Sequence, residues 1–228
     1  MLPRLPLETS RFILEAGAGV GVLLPEIQGA APEAVVVGVD VAEGMISLAP
    51  PRFPRAVMDA TGLAFQTATF DVCVLAFVLF HIPEPAAALG ELHRVLGVGG
   101  TLATITWGRD PTYGALDVWN DELEARGASP TLTLSRHDLV NTPDKVAALM
   151  SSAGFGSIHT WIGIYDRQMT VDGFLRHRMG HGQSRARFES LEPEDRPGCL
   201  AAVRRRLAGI DPAELRDRAE VIYALATR

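Results

Sequence analysis

Three glycines spaced two apart, Gly17, Gly19 and Gly21, close the apolar run ILEAGAGVG, and a carboxylate, Glu15, stands just before them. Glycine at that density lets a strand turn sharply into a helix and lets the main chain approach a ligand with no side chain between. Turns of this kind serve several nucleotide cofactors, and a purely structural tight turn is the competing reading. Val22 stands where a G-x-G-x-x-G dinucleotide fingerprint needs its third glycine, which counts against NAD and FAD. Further along, Gly38-Val39-Asp40 ends a second apolar run with an acid, the usual way to hold two ribose hydroxyls. Met58-Asp59-Ala60 supplies a third acid, suited to accept from an adenine amino group. Ligands of open α/β sheets bind outside the carboxyl ends of the strands, so acids at three successive strand ends form one constellation.

Other chemistry-bearing residues are sparser. His81 follows an apolar run and is either a base or a histidine bonded to main chain. His177 and His181 are four apart, a metal-ligand spacing on a helix, but Gly180 interrupts the turn and no nearby acid or cysteine completes a set. We therefore expect no metal. Asp110-Pro111-Thr112-Tyr113 invites comparison with a base-flipping D-P-P-Y box, yet its third residue is Thr112 and it follows the fifth apolar run rather than the fourth.

The elements that must position these residues read as a β-α-β rhythm. Phe12 to Leu14, Ala34 to Val37, Val72 to Leu75 and Thr101 to Ile105 are continuous apolar runs, as strands covered on both faces of a parallel sheet should be. Between them helices are expected at about Val20 to Gln28, Glu43 to Leu48 and Pro85 to Leu96. Gly108 to Val140 carries scattered aromatics and turn residues. Thr142 to Ala153 then predicts an amphipathic helix closed by Gly154, and Ser157 to Tyr165 a strand. Asp166 to Asp211 reads as helical and charged, and Val221 to Leu225 as a final strand.

The formal charge of −6 disfavours nucleic acid and anionic lipid as partners. The longest oily stretch, Val72 to Phe80, is too short to span a bilayer, and MLPRLPLETS has no signal-peptide core, so membrane insertion and secretion are not expected. Two cysteines make no disulfide framework, which suits a reducing cytoplasm.

Taken together, these stretches resemble class I S-adenosylmethionine-dependent methyltransferases of the small-molecule, type 11 branch. ILEAGAGVG is similar to the first motif of that family, VVGVDVAEGM to its ribose-binding strand, and MDATGLAFQTATFDV to its adenine loop. LAFVLFHIPEPAAALGELHRVLGVGGTLATITWG resembles the following strand, helix, turn and fifth strand, and TPDKVAALMSSAGF the late helix. The resemblance implies a Rossmann-like, doubly wound, mostly parallel seven-stranded α/β sheet in a single domain spanning 1–228. A cofactor-binding half would cover 1–107 and a substrate-side half 108–228, with a helical lid at about 166–211.

The resemblance also implies the roles of individual residues. Gly17, Ala18 and Gly19 would line the methionine portion of S-adenosylmethionine, and Glu15 would stand near its amino group or order the turn. Asp40 would bind ribose, Val41 and Met45 flank the adenine, Asp59 take its amino group and Ala60 its ring through main chain. Leu75 and Ala76 would meet the methionine carbons or amino group, and Phe77 and His81 would face the transferable methyl or the acceptor. The reaction implied is in-line methyl transfer to an O, N or C nucleophile of a small molecule, with His81 the first candidate base and His177, His181 and Tyr113 behind it. Trp107, Tyr113, Trp119, Trp161 and Phe174 would either line an apolar pocket for a flat acceptor or simply pack. Only eleven residues precede Phe12, fewer than family members usually have, so part of the lid would be either missing or supplied by 166–211 or by a second subunit, which leaves room for a homodimer. The alternative reading is a homologue that binds this cofactor without methylating, as a pericyclase-like or non-catalytic protein.

Overall fold

In the computed structural model, residues 1–109, 114–130, 136–180 and 182–228 are described. Tyr113, His181 and the Asp110-Pro111-Thr112-Tyr113 stretch lie outside them. The chain divides into two compact units, one made of Met1–Gly108, Ser135–Gly163 and Val221–Arg228, the other of Arg109–Leu134 and Ile164–Glu220.

The strands are β1 (Phe12–Ala16), β2 (Val35–Asp40), β3 (Arg55–Val57), β4 (Phe70–Ala76), β5 (Leu96–Trp107), β6 (Gly156–Gln168) and β7 (Arg216–Thr227). They form one sheet in the order β3-β2-β1-β4-β5-β7-β6. β1, β2, β3, β4 and β5 pair in parallel, and β7 runs antiparallel to β5. The order reverses between β1 and β4. From β1 the chain winds outward to β3, then returns to lay β4 on the other side of β1 and winds the opposite way. That switch point opens a crevice at the carboxyl ends of β1 and β4, where ligands of open α/β sheets bind.

Side chains alternate between two apolar layers, as the pleat dictates. Ile13, Val72, Val74 and Ala103 join Leu5, Leu7 and helix α1 (Leu24–Ala30) on one side. Leu14, Cys73, Leu75 and Leu102 join α3 (Pro85–Val95) and α5 (Pro143–Ser152) on the other. Both layers are sealed, with these eight strand residues at 0% exposure. This double burial is why the strands read as continuous apolar runs rather than alternating ones.

Several expectations shift. The first helix begins at Leu24 rather than Val20, because Gly19 and Gly21 adopt left-handed φ of 54° and 73° and prolong the turn. α2 is a single turn, Glu43–Ile46. Gly97 to Gly100, read as a turn, lies inside β5, where the pairing with β4 shifts register between Phe70 and Val72.

The second unit holds α4 (Gly114–Glu124), α6 (Val171–Gly180), α7 (Gly182–Glu189) and α8 (Asp195–Leu207). α4 falls where the sequence looked irregular. Its Ala115, Val118, Trp119 and Leu123 repeat at helical spacing and join Phe174, Leu175, Cys199, Val203 and Leu207 in a separate core. α6, α7 and α8 lie in sequence between β6 and β7, as an insert. Arg206 of α8 reaches Asp121 and Glu122 of α4 at 2.8 and 2.9 Å. Among the described residues, no helix is long and apolar enough to cross a membrane.

Candidate functional site

The crevice begins at the end of β1. Gly17 and Ala18 donate their N–H groups to the Val39 carbonyl of β2 at 2.8 and 2.9 Å, which folds the glycine turn over the neighbouring strand. Gly17 has φ of +73°, and a Cβ there would collide with Cγ2 of Val78, so Val78 fills the space that the missing side chain leaves. Gly19 has φ of +54°, and its Cα side is open except for the Met45 methyl, 3.7 Å from an ideal Cβ.

Asp40, at the end of β2, accepts the Gly19 N–H on Oδ2 at 2.7 Å and the Ala42 N–H on Oδ1 at 2.8 Å. The carboxylate is therefore fixed by the turn itself. Beside it, Val41 and Met45 are apolar yet 67% and 46% exposed. Two large apolar side chains left in water next to a held carboxylate form a ledge that a flat ring can cover.

Glu15 is 3% exposed and its Oε2 has no hydrogen-bond partner. Its strand neighbours are Gly38 of β2 and Val74 of β4, neither of which brings a charge. Burial, with the charge of Asp40 adding to it, pushes the Glu15 carboxyl up from 4.5 to about 8. A buried carboxyl with an orphaned oxygen is costly unless something cationic or hydrogen-bonding meets it. Together with the bare Gly19 main chain, it fits a ligand that carries an ammonium group.

Asp59 follows β3 and is exposed. Its Oδ1 accepts both the N–H and the hydroxyl of Thr61 at 2.8 Å, and these bonds hold its pKa below the usual carboxylate range. The loop carrying Asp59 and Ala60 is fastened further on. Glu91 of α3 accepts the Leu63 N–H at 2.8 Å, while Arg94 donates to the carbonyls of Leu63 and Phe65 at 2.7 and 2.8 Å. Sequence reasoning missed this clamp, although the Glu-x-x-Arg spacing on α3 was its signal.

At the end of β4, the Leu75 side chain is sealed in the core and its carbonyl accepts the Thr104 hydroxyl at 2.8 Å. Ala76 is half-buried. Phe77 adopts φ of +57°, held by its N–H bond to the Ile105 carbonyl at 2.7 Å and by its ring lying 4.5 Å from that of Trp107. His81 ends the short turn that follows. Its ring lies 4.2 Å from that of Phe80, and protein around it displaces enough water to lower the imidazole pKa.

The remaining candidates stand elsewhere. His177 lies 3.4 Å from Asp217, and among the described residues no group of His, Cys, Asp and Glu could hold a metal ion. Trp119 and Phe174 are fully buried in the core of the second unit, so of the two readings open for them the structure favours packing: the helices of that unit close around them. Trp161 stacks on Tyr223 at 5.3 Å with Arg4 above it.

Residues 14–104 match the family model described as a methyltransferase domain. A demethylmenaquinone methyltransferase of Roseiflexus castenholzii is 31% identical over 162 residues, which are 64% of this chain and 68% of that relative. A trans-aconitate 2-methyltransferase of Methylobacterium radiotolerans is 26% identical over 223 residues, 93% of this chain and 83% of that one. The crystal structure of the YcgJ protein from Bacillus subtilis shares the fold, with a TM-score of 0.63 at 16% identity, over 100% of this chain and 96% of that one. The matched segment runs from within β1 into β5 and so contains the glycine turn, Asp40, Asp59 and His81. The chain belongs to the class I S-adenosylmethionine-dependent methyltransferases.

Proposed function

We infer that the protein transfers the methyl group of S-adenosylmethionine to a small-molecule acceptor. The observation that carries this reading is the orphaned Glu15 oxygen beside a bare, left-handed glycine turn, with Asp40 fixed next to it. When bound, the cofactor supplies an already electrophilic methyl on a sulfonium, so no covalent nucleophile is required of the chain.

The residues then divide the work of binding and orientation. Glu15 meets the ammonium of the methionine portion, and Gly17, Ala18 and Gly19 let it lie against main chain. Asp40 takes the ribose hydroxyls, Val41 and Met45 cover the faces of the adenine, and Asp59 accepts from its amino group while Ala60 approaches the ring. Leu75, its side chain committed to the core, and Ala76 contribute main chain beside the methionine carbons. Phe77 and His81 border the acceptor. With its pKa lowered, the His81 imidazole is neutral near pH 7 and is free to take a proton from a hydroxylated acceptor. Water exclusion and alignment of the acceptor supply the rest of the rate.

Two experiments test the reading. Calorimetry should register S-adenosylmethionine binding that is weakened by Asp40→Asn. Turnover with an acceptor panel should release S-adenosylhomocysteine in equal amount to methylated product. Binding without release under every acceptor would instead favour the non-methylating alternative.

A further inference from the structure

Phe77 occupies a backbone conformation that Gly or Asn adopts readily and that a bulky aromatic residue rarely does. Such a position persists only where the surroundings enforce it, and strained positions gather at functional sites. Here the strain places a ring, which a Gly or Asn would not supply. That ring lies 4.5 Å from Trp107, tilted by 36°, at the carboxyl ends of adjacent strands β4 and β5. Trp107 is 37% exposed although indole is among the most readily buried side chains, so part of this aromatic pair still faces water.

The polar complement of these two strand ends is equally informative. Residues 75–82, LAFVLFHI, and residues 105–107, ITW, contain no Lys or Arg. An acceptor carrying several carboxylates would find no cation on either segment. The one titratable side chain they offer is His81, four residues beyond Phe77.

We propose that the acceptor is a planar, hydroxylated aromatic ring, selected by contact with the Phe77–Trp107 pair and deprotonated by His81. The inference rests on the methyl-transfer reading and names its substrate class. The acceptor hydroxyl gives its proton to the imidazole of His81. An oxygen lone pair forms the new bond to the methyl carbon as the sulfur–carbon bond breaks, and that electron pair stays on sulfur.

The test uses the full chain and four probes: 2-naphthol, 2,3-dihydroxynaphthalene, the saturated trans-2-decalol and trans-aconitate. S-adenosylhomocysteine binding is measured first by calorimetry, then probe binding to the loaded protein, then methylated product by mass spectrometry. The two naphthols should bind and be methylated, and the other two should not. Trp107→Leu should raise KM for the naphthol roughly threefold to tenfold, the range of a lost aromatic contact, while the dissociation constant of S-adenosylhomocysteine holds. Phe77→Leu should do the same, and serves if the Trp107 variant fails to fold. Equal handling of trans-2-decalol and 2-naphthol, preference for trans-aconitate, or an unchanged KM in both variants overturns the proposal while leaving methyl transfer standing. Absence of S-adenosylhomocysteine binding by the wild-type chain would bring down both.

Discussion

Replacing Glu15 by Gln should stabilise the ligand-free protein, and by an amount that grows with pH. In the folded chain the carboxyl titrates at about 8 rather than 4.5, because it is buried and because the charge of Asp40 opposes its ionisation. The fold therefore favours the protonated form, and above the unfolded value it must either keep a proton that the unfolded chain has given up or bury a charge. The sign follows from linkage: stability is complete below pH 4.5 and falls as pH rises toward 8. At about 1.4 kcal/mol for each pH unit, the loss is about 3 kcal/mol at pH 7 and about 5 kcal/mol once pH exceeds 8. Gln keeps the shape and cannot ionise. Urea unfolding of both proteins at pH 5, 6, 7 and 8 should give curves that coincide near pH 5 and separate steadily above it. A gap that stays constant across the series would mean that Glu15 titrates normally, and the reasoning about its orphaned oxygen would be wrong.

Four further outcomes are expected. Gly17→Ala should cost about 1–2 kcal/mol for the left-handed φ alone, with the Val78 clash added, and only the clash part should be recovered when Val78→Ala is introduced as well, as read by thermal unfolding. Asp40→Asn should weaken S-adenosylhomocysteine binding by at least about tenfold, the scale of one hydrogen bond to a charged group; a loss under twofold would remove Asp40 from the site. His81→Ala should lower kcat by about 10² to 10⁴ if the acceptor is a hydroxyl. In the wild type, the acid limb of kcat/KM should lie below pH 6.5, since a base is active above its pKa and this one is lowered; a limb above 6.5 would assign the base elsewhere.

Much of the sheet was legible because its strands are sealed on both faces, and continuous apolar runs survive any misreading of their ends. β3 was legible only through the acid that follows it, because it is three residues long, none of them is buried, and it carries no apolar run of its own. α4 escaped because its apolar stripe faces a core built from residues distant in sequence, Phe174, Cys199 and Val203 among them. In the site, the glycine turn and the three acids could be read by type and spacing. The φ of Phe77 could not, since nothing in a phenylalanine codes for the left-handed region; the Ile105 carbonyl and the Trp107 ring impose it from the neighbouring strand. The Glu91 and Arg94 clamp was half legible: the Glu-x-x-Arg spacing marks the pair, but its main-chain partners at Leu63 and Phe65 leave no mark in the sequence.

Glu15 and Asp40 look alike in sequence, each an acid near the end of a strand, and the fold gives them opposite environments. Asp40 accepts two main-chain N–H groups, one on each oxygen. A carboxylate offers about four lone-pair sites, so each oxygen keeps one for a ribose hydroxyl. Its orientation is settled before any ligand arrives, and binding need not spend ordering entropy on it. Glu15 has the reverse arrangement, buried with a lone oxygen unsatisfied and with both burial and the Asp40 charge opposing its ionisation. An arriving ammonium offsets both disadvantages at once, so the group that destabilises the empty fold is the one whose interaction with the cofactor is strengthened most by low dielectric. The two acids thus separate into a rigid hydrogen-bond acceptor for the sugar and a buried carboxyl that the free protein keeps protonated at a cost in stability, and the pH series on Glu15→Gln measures that cost directly.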